Sequence, residues 1–376
     1  MATKNTDSRK TVAAVCRQFR IPGELASVEL ITRGHINTTY KVTFENGGVF
    51  KSYVLQKINT YVFKNPVKIM KNIDLVSGHI RQKEVSNRVR LHYHHCENGN
   101  NYFPGNDGTF WRLLNFIDSA VFDLCEDERV LRGAGYAFGE FQSNLVDFDA
   151  TQLYETIEDF HNTPKRLEKF FADVKADEYG RACEVAEEIS YTEEMAPLAG
   201  KLVSMLEQGK LPVRVTHNDT KSNNILFDKN TFLPLTVIDL DTVMPGLVAY
   251  DFGDAIRTAA NTATEDEREL SRVSLDLRKF EWFADGFLRA AAKNLTENEI
   301  NTLALGAFTL TFEQAVRFLD DYLTGDKYFR TEYEGHNLVR ARCQYTLARD
   351  IASKLPEMQK IIQRLAYESR AVSENQ

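Results

Sequence analysis

Four polar residues in one short stretch have the types and spacing that phosphoryl transfer requires. His217, Asp219 and Asn224 stand as H-x-D-x-x-x-x-N within RVTHNDTKSNNILFD, and Asp239 follows in VIDLD. That reaction needs Mg2+ on the phosphates of a nucleotide and a hydroxyl steered in line with the γ-phosphorus. One aspartate, Asp219, accepts or orients the hydroxyl proton. An amide oxygen from Asn224 and a carboxylate from Asp239 suit a hard metal ion. The four-residue gap lets a loop turn so that Asp219 faces the acceptor while Asn224 faces the metal. Val237 and Ile238 then read as a short apolar strand that delivers Asp239. A chance H-x-D on a polar surface hairpin is the alternative. The apolar segments on both sides and the I-D at hairpin distance favour catalysis.

Two further aspartates compete for attention. Asp251 opens DFG, the tripeptide by which protein kinases hold a catalytic metal, in AYDFGDAIRT (249–258). It lies beyond a Met-Pro-Gly turn and begins a helical pattern, whereas Asp239 already stands one hairpin after Asn224. The expected role of Asp251 is a buried carboxylate at a helix start, bonded to backbone amides of the catalytic loop. Asp241 shares a face with Asp239 if the chain there is extended. It could reach metal or acceptor, or cap the turn that follows.

These residues need elements to hold them. VELITR (28–33), TTYKVTF (38–44) and VFKSYVLQKI (49–58) read as strands, and ENGG (45–48) supplies an Asn-Gly hairpin turn. PVKIMKNIDLVSGHIRQ (66–82) has helical period with Pro66 at its start, and RVRLHYH and GTFWRLLNF look like two more strands. RGHINTTY (33–40) is the turn that should cover phosphate with its backbone N–H groups, Thr38 and Thr39 among them. His35 in this turn could touch substrate or face solvent. The third strand offers Gln56 inward where a kinase places a cation, Lys57 points the other way, and Asp74 is the acid well placed on the helix.

From about residue 119 the pattern becomes helical: RVLRGAGYAFGEFQSNLVDF, EEMAPLAGKLVSMLEQG and EDERELSRVSLDLRKFEWFADGFLRAAAKN. The expected organisation is a first lobe over 1–112, a hinge over 113–118 and a second lobe over 119–376. The hinge residues Asn115, Phe116 and Ile117 are the expected nucleotide contacts. TEDE (264–267) reads as a capping box opening a helix, or as acids facing a cationic acceptor. HYHHC (92–96) reads as a solvated edge or a metal site. EQAVRFLDDYLTGDKYF (313–329) mixes Arg317, Asp321, Tyr322 and Tyr328 among aromatics, as amphipathic packing or a pocket for a hydroxylated ligand would.

The 376 residues allow two domains, and the net charge of −8 argues against nucleic acid as a partner. Five scattered cysteines without a CxxC pair read as free thiols in a reducing compartment. The polar start has no signal-peptide pattern, and no run of 18 or more apolar residues exists to span a membrane. A cytoplasmic location follows as the expectation.

RVTHNDTKSNNILFD, VIDLDTVMPG and DFGDAIRTAA resemble the aminoglycoside phosphotransferase and choline kinase superfamily. With GHINTTY, WRLLNFID, DFDATQLYETIEDFHNTPKR, RFLDDYLTGDKYF and EGHNLVR, the chain more narrowly resembles the bacterial N-acetylhexosamine 1-kinases from about residue 20 onward. The resemblance implies an α/β (α+β), two-lobed, protein-kinase-like fold with a small β-rich first lobe and a large, mainly helical second lobe. It implies ATP with Mg2+ and phosphorylation of N-acetylglucosamine or N-acetylgalactosamine at the anomeric hydroxyl. By position, Asp219 becomes the base, Asn224 and Asp239 the metal ligands, and His35, Arg317 and Tyr328 the acceptor contacts. A same-fold kinase for choline, an aminoglycoside or another amino alcohol is the first rival. A nucleotide-binding protein without catalysis is the second.

Overall fold

The computed structural model describes residues 2–32, 36–83, 91–123 and 126–374, and it divides into two compact units, Met1–Ser119 and Ala120–Gln376. His35 lies outside the described residues.

The first unit holds α1 (Ala2–Cys16), β1 (Glu24–Ile31), β2 (Thr38–Asn46), β3 (Val49–Ile58), α2 (Pro66–Gln82), β4 (Phe103–Pro104) and β5 (Phe110–Asn115). Its sheet is antiparallel throughout, in the order β1-β2-β3-β5-β4. The β2–β3 hairpin closes on Gly47 and Gly48, both at positive φ, while Asn46 still pairs with Val49 in the ladder. Such a turn needs left-handed backbone at both central residues, which two glycines adopt without strain. α2 has the bounds its apolar period predicts, with Pro66 at its first turn. Helix α1 had no signal in the polar opening of the chain. Its last turns nevertheless bury Val12, Val15 and Cys16 against Val42, Phe44, Tyr53, Leu55, Trp111 and Leu113 of the sheet. The stretch expected as a fourth strand, RVRLHYH, is described only from Leu91, where Tyr93 makes a single bridge to Leu114. β5 itself continues through residues 113–115 of the segment read as a hinge.

The second unit is mainly helical: α3 (Glu128–Asn144), α4 (Thr163–Ala176), α5 (Ala186–Ala199) and α6 (Lys201–Glu207) precede its strands. Two small antiparallel ladders follow, β6 (Arg214–Thr216) with β9 (Met244–Gly246) and β7 (Ile225–Phe227) with β8 (Pro234–Val237). Then come α7 (Val248–Ala259), α8 (Leu277–Ala291), α9 (Glu297–Leu323) and α10 (His336–Glu374). Phe252, Phe280, Phe283, Phe287, Phe308 and Phe312 are fully buried at the centre. Two helix starts differ from the sequence reading. TEDE lies in a turn, and α8 begins only at Leu277, where the Asp276 carboxylate accepts from the N–H groups of Arg278 and Lys279. The capping box of this region is Thr296 with Glu299, at the start of α9. Among the described residues no helix is long and apolar enough to cross a membrane. Cys16, Cys96 and Cys343 are buried free thiols and Cys183 is an exposed one; Cys125 lies outside the described residues.

Candidate functional site

The loop from Thr216 to Asn224 is held from beneath by α7. Asp251, in the first turn of that helix, is buried and accepts from the backbone N–H of His217 (2.8 Å) and of Asn218 (2.8 Å) and from Gln142 Nε2 (2.6 Å). Burial pushes its carboxyl above the usual range, and these donors pull the other way. One helical turn later, Asp254 accepts from the Thr220 N–H at 2.9 Å and pairs with Arg257 at 3.0 Å. Burial alone would raise Asp254 as well, but Arg257 outweighs it and holds the carboxyl below its ordinary value. The brace expected of Asp251 is therefore present, shared with a second aspartate and with Gln142, a residue on α3 that the sequence did not single out.

His217 is fully buried between the rings of Phe138 and Phe141. Its Nδ1 accepts from the Asp219 N–H (3.3 Å), and its Nε2 donates to the Ile238 carbonyl (2.9 Å). The imidazole thus ties the loop that carries Asp219 to the residue just before Asp239. It spaces the Asp219 and Asp239 segments and has no ring nitrogen left for proton transfer. The same join is repeated where Ile238 N–H donates to the Asn224 carbonyl at 2.9 Å.

Around Asp219 the two carboxylate oxygens are unequal. Oδ2 accepts from Asn224 Nδ2 at 2.9 Å and from Lys221 Nζ at 2.9 Å. Among the described residues no donor is assigned to Oδ1, and the side chain is about a quarter exposed, at 28%. Asn224 uses Nδ2 for both of its bonds to Asp219, at the carboxylate and at the backbone carbonyl (2.8 Å), which turns its own Oδ1 away from that pair. Lys221 was missed by sequence reasoning, although it stands two residues after Asp219. Burial would lower this ammonium, but Asp219, then Asp239 and Asp254, hold it above the ordinary lysine value. Asp239 is thus near enough to Lys221 for its charge to act on the ammonium.

Asp239 has left-handed backbone (φ 61°), and a 3-10 turn over Leu240–Thr242 follows directly. The chain is not extended there, so the alternation that would put Asp241 on the same face as Asp239 does not hold. Asp241 is buried within this turn. The Thr242 hydroxyl next to it donates to the His217 carbonyl at 2.7 Å. Asn224 and Asp239 supply one amide and one carboxylate oxygen, a hard donor set that fits Mg2+.

Arg317 and Tyr328 meet elsewhere in the same unit. The Arg317 guanidinium lies over the rings of Phe329 (5.3 Å), Phe160 (5.7 Å) and Tyr328 (6.0 Å). Burial and the nearby Arg166 pull it below the ordinary arginine value. One turn earlier on α9, buried Glu313 accepts from the Thr163 hydroxyl (3.0 Å) and bonds His161 Nδ1 (2.9 Å), whose ring lies 5.1 Å from that of Tyr250. Tyr250 adjoins Asp251, so α7 and α9 connect the Thr216–Asn224 loop to the Arg317 cluster. Two neighbours grouped with Arg317 in the sequence have other tasks: Tyr322 donates to Glu184 (2.7 Å), and Asp321 is spent on backbone amides.

In the first unit, Thr38 and Thr39 open β2 opposite Lys57 and Gln56. Gln56 Nε2 donates to the Thr39 hydroxyl (3.3 Å), and its Oε1 accepts from Arg112 Nε (2.8 Å). At the Gln56 position of β3, where the strand itself has no cation, the adjacent strand β5 sets a buried arginine, Arg112, paired across the ladder. Asn115 accepts from the His92 N–H at 2.7 Å, the Phe116 ring faces Lys41 at 4.5 Å, and Ile117 is buried. Burial raises Asp74, with Asn101 as the hydrogen-bond partner that opposes it.

Residues 27–288 match the family described as "APH: Phosphotransferase enzyme family". Among solved structures, a microcompartment-associated aminopropanol kinase shares 14% identity at a TM-score of 0.62, with 93% of this chain and 98% of that one covered. A choline kinase from Cryptosporidium parvum shares 12% identity at a TM-score of 0.56, covering 94% and 97%. A spectinomycin phosphotransferase in complex with ADP and spectinomycin shares 12% identity at a TM-score of 0.55, covering 92% and 98%. At such identities the likeness is one of fold: a small antiparallel sheet in the first unit and a large helical portion in the second.

Proposed function

Because the chain belongs to the phosphotransferase enzyme family, we propose that it transfers the γ-phosphoryl group of ATP to a hydroxyl of a neutral sugar. The acceptor this reading favours is the anomeric hydroxyl of an N-acetylhexosamine, N-acetylglucosamine or N-acetylgalactosamine. The observation that carries it is the asymmetry of Asp219, with Oδ2 gripped by Asn224 and Lys221 and Oδ1 open. An acceptor hydroxyl donating to Oδ1 is held with its oxygen aimed at phosphorus. As the new O–P bond forms, its proton passes to Oδ1. The β,γ bridging bond breaks, and its electron pair leaves with ADP. Lys221, beside the same carboxylate, offsets negative charge on the transferred group. Mg2+, bound through Asn224 and Asp239, would neutralise charge on the nucleotide phosphates. Thr38, Thr39, Asn115, Phe116 and Ile117 are the nucleotide contacts in this reading, and Arg317 and Tyr328 are acceptor contacts.

A neutral acceptor is favoured over a cationic one by two arrangements. The aromatic group Phe160, Tyr328 and Phe329 already holds a cation, the guanidinium of Arg317. A cationic acceptor at this cluster would be repelled, whereas Arg317 can donate to sugar oxygens. The three acids of TEDE are also engaged: Glu265 pairs with Arg257 (2.6 Å), Asp266 with His336 (3.4 Å), and Glu267 accepts from the Glu269 N–H (2.8 Å). Incubation with Mg-ATP and a panel of N-acetylhexosamines, choline, amino alcohols and aminoglycosides, read by phosphorus NMR, tests the assignment. The expected product is a sugar 1-phosphate, which disappears when the sugar is first reduced to its alditol. Phosphate on an amino alcohol or aminoglycoside, with none on the sugars, would overturn it.

A further inference from the structure

We propose that Asp321 is a positioning residue for acceptor binding, holding the loop that presents Tyr328 against Arg317; this rests on the preceding reading of that cluster as the acceptor wall. Helix α9 ends at Leu323, and Gly325 (φ 92°) and Asp326 (φ 57°) turn the chain back with two successive left-handed residues. The returning loop then docks on the helix it has just left. Asp321 Oδ1 accepts from the N–H groups of Lys327 (2.9 Å) and Tyr328 (2.8 Å). Its Oδ2 accepts from the N–H of Phe329 (2.9 Å) and from Asn337 Nδ2 (2.8 Å). The Asp321 backbone carbonyl takes a further bond from the Asp326 N–H at 2.7 Å. Asp321 is 5% exposed, and its carboxylate binds four N–H groups.

What this seat holds distinguishes it from ordinary helix termination. The backbone N–H of Tyr328 is held, yet the residue as a whole is 72% exposed. Packing alone gains little from an exposed tyrosine on a held backbone. A ligand-facing ring gains pre-organisation, because its direction is set before the acceptor arrives. Asn337 reinforces the seat by donating also to Asp326 Oδ1 (2.9 Å), and Arg181 pairs with Asp326 from outside at 2.8 Å.

The test compares Asp321→Asn, Asn337→Ala and Tyr328→Ala, using whichever panel acceptor gives the strongest phosphorus signal with the wild-type chain. Turnover is normalised to folded protein, and thermal midpoints are measured beside KM for acceptor and for ATP. Asp321→Asn places an amide NH2 against N–H donors. It is expected to raise the acceptor KM about 10-fold while KM for ATP and kcat stay within about 3-fold. Asn337→Ala, the milder variant should Asp321→Asn fail to fold, should raise acceptor KM by a smaller factor in the same direction. A lowered midpoint with acceptor KM unchanged in every folded seat variant, while Tyr328→Ala raises it, would overturn the positioning role and leave the acceptor wall standing. Acceptor KM unmoved by Tyr328→Ala as well would overturn the acceptor wall itself. Failure to phosphorylate any panel member would remove both.

Discussion

At the scale of single residues, the proposed mechanism turns on which of two oxygens on Asp219 is left open. Asp219→Asn removes the proton acceptor and should lower kcat by roughly 10³-fold. ATP affinity, measured by titration, should stay within a few-fold, because that carboxylate meets the acceptor. Lys221→Met tests the neighbouring ammonium, 2.9 Å from Asp219 Oδ2. The expected loss in kcat is on the order of 10²-fold with acceptor KM little changed, as for removal of a charge-stabilising donor; steady-state kinetics in both substrates reads the split. Asp219, Asn224 and Asp239 stand out in the sequence because their spacing is one that phosphoryl transfer would require. Lys221 does not, since one lysine in a polar loop carries no pattern. Of the two readings open for Asp241, a shared face with Asp239 needs extended chain, and the left-handed backbone at Asp239 breaks that alternation and leaves Asp241 inside a turn.

At the scale of elements, each letter of DFG has a structural task. Asp251 braces the loop, Phe252 is fully buried against Phe280, Phe283 and Phe287, and Gly253 lets α7 approach α9. A Cβ at Gly253 would run into the carbonyl oxygen of Gly306, which is backbone and cannot swing aside. Gly253→Ala should therefore cost about 2–3 kcal/mol by overpacking, read as a lower denaturant midpoint. Asp251→Ala leaves the His217 and Asn218 N–H groups without their acceptor. It should cost roughly 3 kcal/mol, measured the same way, before any effect on turnover of the folded fraction is considered. Periodicity revealed the hairpin and α2, whose patterns are local. It missed α1, whose sequence is polar until its last turns, and started α8 too early. The charged run EDEREL has helical composition, yet Asp276 is where a side chain satisfies the first helical N–H groups. The cation from β5 was hidden for a different reason. Arg112 reaches Gln56 through strand pairing, which no spacing along the chain encodes.

At the scale of the whole molecule, a chain with a net charge of −8 places some carboxylates inside its second unit, and their ionisation becomes a condition of folding. Glu313 is the clearest case. It is 2% exposed, and burial alone would raise its pKa. His161, Arg166 and Arg317 surround it with positive charge or donors, and the Thr163 hydroxyl binds its second oxygen. Together they overcome burial and lower the carboxyl from 4.5 to about 2. A folded pKa below the unfolded one gives stability that is fully present above the unfolded value and lost as pH falls through the folded one. The window is therefore pH 4.5 down to about 2. The depression corresponds to an upper figure on the order of 3 kcal/mol at neutral pH. Glu313→Gln keeps the shape and one acceptor oxygen but removes the charge. Urea unfolding should find the variant less stable at pH 7 by an amount of that order. The gap should close as pH falls from 4.5 towards 2, because only the wild type then takes up the proton. A gap that stays constant across that range would mean that the stability comes from hydrogen bonds alone, and that the charge of Glu313 contributes nothing to holding α9 against His161 and Arg166.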